Sequence, residues 1–350
     1  MIDRYSPLTI DWARLFPPGA RVLAIPNWDK PRLLAPAHHF YDRWRGSSFY
    51  PASRPQARIY RAFLRTKAAM RLVESRTVPP GDWLLYDFVR EVLPQTAAVD
   101  AVLIGSGGLA QKLTVRLRDK SGEVIGYLKY GEKEASRRRL LREFHMLSGI
   151  GGVAPEPLKY GTLGRGEALL IAPLVGRAPR ASLTPAGGVE EFFKALTVLP
   201  PMPLEDHPWV QDIRHRSGGE LDHWLEDLAD REWPVVVQHG DFAPWNLLRR
   251  PNGTLGAIDW EYGTLEGFPY LDLAYHMLHT SALIYRWPPA RAVEYTDRYL
   301  SSRLWTALRS KETLVLTRLA AYDAYLKGLE DGKRPSGIQS WRRRVWEDSE

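Results

Sequence analysis

Apolar positions fall into two kinds of pattern along this chain. Between residues 97 and 175 they form short runs. Ala101 to Ile104 is continuous, and Leu113-Thr114-Val115-Arg116-Leu117 alternates with a period of two. Asp119-Lys120-Ser121-Gly122 marks a turn, and Val124 to Tyr130 follows it as a third strand. The step then changes to three and four residues over Glu132 to Ser148, with Leu140, Phe144 and Leu147 on one face and Gly149 to Gly152 ending the helix. Leu158 to Thr162 and Ala168 to Ala172 return to strand character. Beyond Val175 the periodicity is helical over Leu271 to Leu283, Ala290 to Ala307 and Glu312 to Leu329. One interruption stands out. The apolar run Val235-Val236-Val237 is followed by Leu247-Leu248 and Leu255-Gly256-Ala257-Ile258, which flank Pro251-Asn252-Gly253. Asn-Gly tolerates positive φ, so the last two runs predict a hairpin. The pattern as a whole predicts an α+β chain: a β-rich segment over residues 97–175, then a mainly helical one over 176–350.

Residues 1–96 form an N-terminal extension of another character, rich in Pro, Arg and aromatics and punctuated by Pro17-Pro18-Gly19 and Pro79-Pro80-Gly81. Arg58 to Leu72 reads as a helix with Ile59, Phe63 and Met70 on one face and Arg58, Arg61, Arg65 and Lys67 on the polar side. Charge sharpens this division. The net charge is +7, and residues 1–95 carry all of it, with 15 Lys or Arg against 8 Asp or Glu; the other 255 residues balance. The hydrophobic share of 44% and charged share of 25% suit a globular protein. The absence of cysteine excludes disulfides and thiolate metal sites and accords with a reducing, cytoplasmic setting. Met1-Ile2-Asp3-Arg4 lacks the basic-then-apolar layout of a signal peptide. No uncharged apolar run approaches the ~20 residues of a membrane span.

The densest chemistry lies around the predicted hairpin, in His239-Gly240-Asp241-Phe242-Ala243-Pro244-Trp245-Asn246 and Ile258-Asp259-Trp260-Glu261. Asp241 can accept the proton of an attacking hydroxyl. Asn246 lies five residues later and Asp259 thirteen beyond that, so a hairpin between them brings an amide oxygen and a carboxylate to its two ends. Magnesium favours oxygen ligands and usually takes only one or two from protein, with nucleotide phosphates supplying others. Protein kinases place a base and a metal-binding Asn at this spacing. His-Gly-Asp and Ile-Asp-Trp-Glu, in place of His-Arg-Asp and Asp-Phe-Gly, resemble the aminoglycoside phosphotransferase and choline kinase family, which phosphorylates small molecules on a two-lobed protein-kinase-like fold.

The resemblance covers roughly residues 97–285 and implies ATP and Mg2+ as cofactors. Five strands with one helix after the third match the order of the family's small lobe. It implies that Gly105, Ser106, Gly107 and Gly108, between the first two strands, approach the phosphates. Lys129 in the third strand reaches the α- and β-phosphates, and Lys112 and Lys133 are its alternatives. Glu143 lies beside the helix's apolar stripe, where an unpaired charge is costly to bury, and pairs with Lys129. Ala172 to Gly176 matches the adenine-binding segment. Glu261 matches an acid that assists the metal site in choline-kinase-like members. His239 and Asp272 support the catalytic loop.

The resemblance implies an acceptor that is a small molecule bearing a hydroxyl: an amino alcohol, a sugar or an aminoglycoside-like compound. Trp245, Trp260, Tyr262, Tyr270, Tyr275 and Trp287 are candidates for an aromatic cage around a quaternary ammonium. Beyond Glu261 and Glu266 there is no dense set of acids to take an aminoglycoside. The extension is expected to cover the small lobe. A basic, aromatic-rich helix also suits peripheral contact with a membrane or other anionic surface. No recognised nucleic-acid-binding module occurs in it, and the sequence does not fix an oligomeric state. The competing reading is a catalytically inactive kinase-fold scaffold, against which the joint presence of Lys129, Asp241, Asn246 and Asp259 argues.

Overall fold

A computed structural model of the protein describes residues 12–52, 55–185, 187–302 and 307–347. Met1 to Arg4 therefore lie outside the described residues. Contacts divide the described chain into two compact units. The first runs to Phe144 and takes in Pro155–Pro173; the second comprises His145–Ala154 and the chain from Leu174 onward. The first is β-rich and the second mainly helical, as expected for an α+β, two-lobed kinase-like chain.

The first unit is built on eight strands: β1 (Arg21–Ile25), β2 (Leu33–Pro36), β3 (Ser75–Thr77), β4 (Ala98–Ile104), β5 (Leu113–Arg118), β6 (Val124–Gly131), β7 (Pro157–Leu163) and β8 (Gly166–Ile171). They form one sheet in the order β3-β1-β2-β4-β5-β6-β8-β7. The last five are the strands that periodicity predicts. The first three come from the extension, which joins the sheet edge to edge: Leu33 pairs with Leu103 and Leu34 with Val102. This explains why β4 is apolar almost throughout. It is an interior strand with both faces covered, whereas β5 alternates buried and half-buried positions.

The helices of this unit are α1 (Phe40–Gly46), α2 (Pro55–Ala69), α3 (Tyr86–Arg90) and the start of α4 (Glu134–Gly149). One sheet face packs Val22, Val102, Val115 and Leu128 against Leu85, Phe88 and Val89 of the α3 region. The other packs Leu23, Ile25, Leu33 and Ala101 against Leu64 and Ala68 of α2. A buried polar network ties α1 to the sheet: Asp100 takes Arg116 Nε at 2.7 Å, and Asp42 takes Arg118 Nη2 at 2.6 Å.

Helix α2 carries two apolar stripes. Leu64 and Ala68 face the core, and the stripe of Ile59, Phe63 and Met70 points to solvent, each more than half exposed. Trp44 of α1 lies beneath the Arg65 guanidinium, 4.0 Å from ring centroid to Cζ. Among the described residues no helix is long and apolar enough to cross a membrane.

In the second unit, β9 (Thr197–Met202), β10 (Trp233–Gln238) and β13 (Thr264–Gly267) form a three-stranded sheet in the order β13-β10-β9, and β11 (Leu247–Arg249) pairs with β12 (Leu255–Ala257). Around them lie α5 (Val189–Lys194), α6 (Pro208–Ser217), α7 (Asp222–Leu225), α8 (Leu271–Thr280), α9 (Pro289–Ser301), α10 (Ser310–Glu330) and α11 (Ile338–Glu347). Strand β9 was not foreseen. It contains Pro200 and Pro201, which argue against a strand in general, but it is an edge strand, where a missing N–H is tolerated.

Candidate active site

The expected hairpin forms. Leu247 pairs with Ala257 and Arg249 with Leu255, and the turn closes through Arg250 N to Thr254 O at 2.9 Å with Gly253 at φ +84°. At its open end Ile258 N donates to Asn246 O at 2.8 Å. Asn246 and Asp259 therefore leave from opposite strands at one end. Asp259 itself has φ +68°, a left-handed conformation uncommon for a residue with a side chain, though Asp tolerates it better than most. Such conformations cost about 1–3 kcal/mol and persist where surrounding structure holds them.

The loop carrying Asp241 is braced from beneath. The Asp272 carboxylate, at the start of α8, accepts from His239 N at 2.6 Å and from Gly240 N at 2.9 Å. Burial pushes Asp272 up to about 6, against the pull of those two backbone bonds. His239 is fully buried, with its ring 4.5 Å from that of Trp260. Its Nδ1 accepts from Asp241 N at 3.2 Å, so Nε2 carries the proton and donates to Ile258 O at 3.0 Å. His239 thus links the Asp241 loop to the strand leading into Asp259. Position 240 requires glycine. Its φ is +74°, and a Cβ there would lie 2.3 Å from Tyr262 O.

Asp241 is half-buried. Its Oδ1 accepts from the Tyr275 hydroxyl at 2.5 Å and its Oδ2 from Asn246 Nδ2 at 3.0 Å. Burial is the main cause that lifts its carboxyl to about 7. The Tyr275 bond opposes the rise, while the negative charges of Asp259 and Glu261 add to it. Three like charges near one another make a cation attractive here. The donor chemistry fits a hard divalent ion. Because the Asn246 amide nitrogen also donates to Asp241 O at 2.9 Å, the remaining side-chain acceptor of Asn246 is its carbonyl oxygen. Among the described residues no three His or acidic side chains converge as a metal-binding group. An ion here would draw few protein ligands, the habit of magnesium on a nucleotide.

A pocket of about 310 Å³ opens beside Asp241 within this unit. Of the six aromatic-cage candidates, Trp245, Tyr262 and Tyr275 line it. Trp260 does not, being fully buried with its indole N–H on Ala257 O at 2.8 Å. Tyr270 and Trp287 also lie outside the lining, Trp287 packing on Tyr285 and Tyr295. Sequence reasoning missed the basic residues of the pocket: Lys327, Lys333 and Arg342. For Arg342 a signal existed. Gln339, Arg342 and Val345 recur at three-residue steps and form the buried face of α11.

In the first unit Lys129 and Glu143 meet, with Nζ to Oε1 at 2.5 Å, both side chains at least nine-tenths buried. The segment Gly105 to Gly108 joins β4 to β5. Gly105 N donates to Lys112 O at 2.8 Å, Ser106 to Gly108 are exposed, and Lys133 Nζ donates to Gly108 O at 2.9 Å. A Cβ on Gly105 would lie 2.7 Å from Lys112 O, so this strand end admits only glycine without a shift.

Residues 100–310 match the family model described as the phosphotransferase enzyme family. No curated protein matches the sequence. Among solved structures, choline kinase LicA from Streptococcus pneumoniae aligns at 15% identity with a TM-score of 0.45, over 75% of this chain and 96% of that one. Aminoglycoside phosphotransferase APH(4)-Ia, in a ternary complex with ADP and hygromycin B, aligns at 15% identity and a TM-score of 0.44 over the same shares. APH(3'')-Id from Streptomyces rimosus, in complex with ADP and streptomycin, aligns at 17% identity and a TM-score of 0.36, over 67% of this chain and 98% of that one. Membership rests on the family model, which spans more than half of the chain.

Proposed function

The chain belongs to the phosphotransferase enzyme family, and from that premise we propose that it transfers the γ-phosphoryl group of ATP to a hydroxyl of a small molecule. The observation that carries this reading is Asp241. A half-buried carboxyl lifted to about 7 beside Asn246 and two further acids is poised as a base near neutral pH. In the reaction, the acceptor oxygen bonds to the γ-phosphorus as the bond to the β–γ bridging oxygen breaks. The hydroxyl proton passes to Asp241, and ADP leaves.

Asn246 and Asp259 are the residues that would hold Mg2+, with Glu261 as an assisting acid; the ion would offset charge on the transferring group. Once a cation sits among these acids, the repulsion that raises the Asp241 carboxyl is relieved, and the base form is populated at lower pH. Tyr275 and Asn246 fix the two carboxylate oxygens, which orients Asp241 toward the acceptor. Asp272 and His239 are positioning residues that keep the loop in place. In the first unit, Lys129 is read as the phosphate-contacting lysine, held extended by Glu143, and Gly105 to Gly108 as the loop whose amides face phosphate.

Thermal shift with ATP, with and without Mg2+, tests the nucleotide half of this reading. ADP release across sugars, amino alcohols, hydroxy acids and aminoglycosides tests the other half. Metal-dependent stabilisation and turnover of at least one acceptor are expected. Absence of both would leave the inactive-scaffold reading in its place.

A further inference from the structure

We infer that the acceptor carries an anionic group, a carboxylate or phosphate, which Arg342, Lys333 and His279 hold at the end of the pocket away from its reacting hydroxyl. This rests on the phosphotransferase reading above and narrows its substrate class.

The pocket is chemically two-ended. Asp241 and Glu261 supply acceptors at the loop end. Tyr275 and Lys327 lie at the same end, Tyr275 on Asp241 and Lys327 Nζ 2.8 Å from where a Cβ on Gly240 would be, while Lys333, Arg342 and His279 complete the lining with Trp245 and Tyr262. Two of these cations have carboxylate partners: Lys327 Nζ lies 2.7 Å from Asp323 Oδ2, and Lys333 Nζ lies 3.6 Å from Asp331 Oδ2. Arg342 differs. It is 6% exposed, and its contacts are with neutral groups: Ala324 O at 2.7 Å, Gln339 Oε1 at 2.5 Å, and His279 Nε2 at 3.2 Å from Nε and 2.6 Å from Nη2. Among the described residues no carboxylate reaches it. A buried charge without a counter-charge is unfavourable and takes an anion readily.

The histidine adds a directional donor. A guanidinium can only donate, so His279 Nε2 accepts and Nδ1 carries the proton. That Nδ1–H is buried and has no hydrogen-bond partner. Burial, with Arg342 and Lys333 nearby, holds the imidazole well below its usual range, so it stays neutral and keeps this tautomer. The lining therefore brings together a buried cation without a counter-charge, a neutral imidazole with an unused N–H and an ammonium. That set matches anionic oxygen and repels a polyamine or a quaternary ammonium.

Spacing limits the size of the ligand. Tyr275, which holds Asp241, and His279, which contacts Arg342, are four residues apart on α8, with rings stacked at 3.9 Å. Four helical residues rise about 6 Å. A hydroxyl and an anionic group separated by about that distance belong to a small hydroxy acid or a phosphorylated polyol. The cationic side chains of the lining disfavour a polycation.

The test compares matched acceptors at saturating Mg2+ and ATP: glycerol, glycerate and glycerol 3-phosphate; glucose, gluconate and glucose 6-phosphate; with choline and hygromycin B as cations. In at least one set an anionic member is expected to exceed its neutral parent in kcat/KM by about tenfold or more. The carboxylate and phosphate arms identify the group. Lys333→Gln, at a half-exposed position that does not threaten the fold, is expected to raise KM for that anion several-fold more than it raises KM for the neutral parent. Equal or better turnover of the neutral or cationic members would overturn the inference, as would a panel in which no anion exceeds its parent. If Mg2+ and ATP still stabilise the protein in that case, this inference alone fails. If they do not, the phosphotransferase reading fails with it.

Discussion

Lys129 meets Glu143 at 2.5 Å in the first unit, whereas Asp241 in the second has Asp259 and Glu261 for electrostatic neighbours. Both are charged groups withdrawn from water. The first pair is closed: each charge is answered by the other, and the result is a lysine held in one geometry. The second cluster is open: like charges gather, Asp259 adopts a left-handed backbone, and Asp241 is lifted to about 7. A protein keeps such an arrangement where a ligand completes it. On the proposed function, the contrast is between a pair that positions a lysine and a cluster of acids to which a cation is attracted.

The largest effect that sharpens this contrast is expected at Asp241. Asp241→Asn should lower turnover by about 10²–10⁴-fold. It should also leave the melting temperature at about pH 8 unchanged or higher, because it removes one member of the repelling set. A steady-state assay paired with calorimetry reads both. Glu143→Ala should do the opposite, destabilising the fold by about 3–5 kcal/mol by stranding Lys129 in the interior. Combining Lys129→Met with Glu143→Leu should recover most of that loss in denaturant unfolding, while activity stays lost.

Tyr275→Phe comes next. The hydroxyl bond draws the Asp241 carboxyl down, so its removal should move the acid limb of kcat/KM to higher pH. The rate at neutral pH should fall several-fold and recover in more alkaline buffer. The smallest effect is on stability itself. Asp241 titrates higher in the folded protein than its ordinary 3.8, so the protonated form favours the fold, and stability without nucleotide falls as pH rises from about 4 through about 7. Asp272, lifted to about 6, contributes in the same direction. Subtracting the Asp241→Asn profile from that of the wild type should isolate the first contribution.

Legibility in the sequence followed locality. Strands β4 to β8, helix α4 and the hairpin carrying Asn246 and Asp259 depend on short-range period and turn chemistry, and all were readable. Strands β1 to β3 were not, because Arg, Pro and aromatic residues mask their short apolar runs and their pairing with β4 is remote in sequence. The face that α2 turns outward was not legible for a related reason. Its helix carries two apolar stripes, and periodicity cannot say which one the sheet takes. Arg342 lay hidden in Trp341-Arg342-Arg343-Arg344, a run that reads as surface charge until α11 packs and separates one arginine from its neighbours. The Asp241 loop was visible because its residues sit within some twenty positions of each other. The far end of the pocket, drawn from α8, α10 and α11, was not.

Calorimetric titration of Mg2+ with ADP into three proteins tests the open-site account most directly. The wild type is expected to bind. Asp259→Asn, which keeps the left-handed backbone accessible but removes the carboxylate, is expected to lose the metal-dependent part of the affinity. Asp241→Asn is expected to bind as tightly as the wild type or more tightly. Equal metal-dependent binding by all three would show that these acids do not hold the ion, and the account would be wrong.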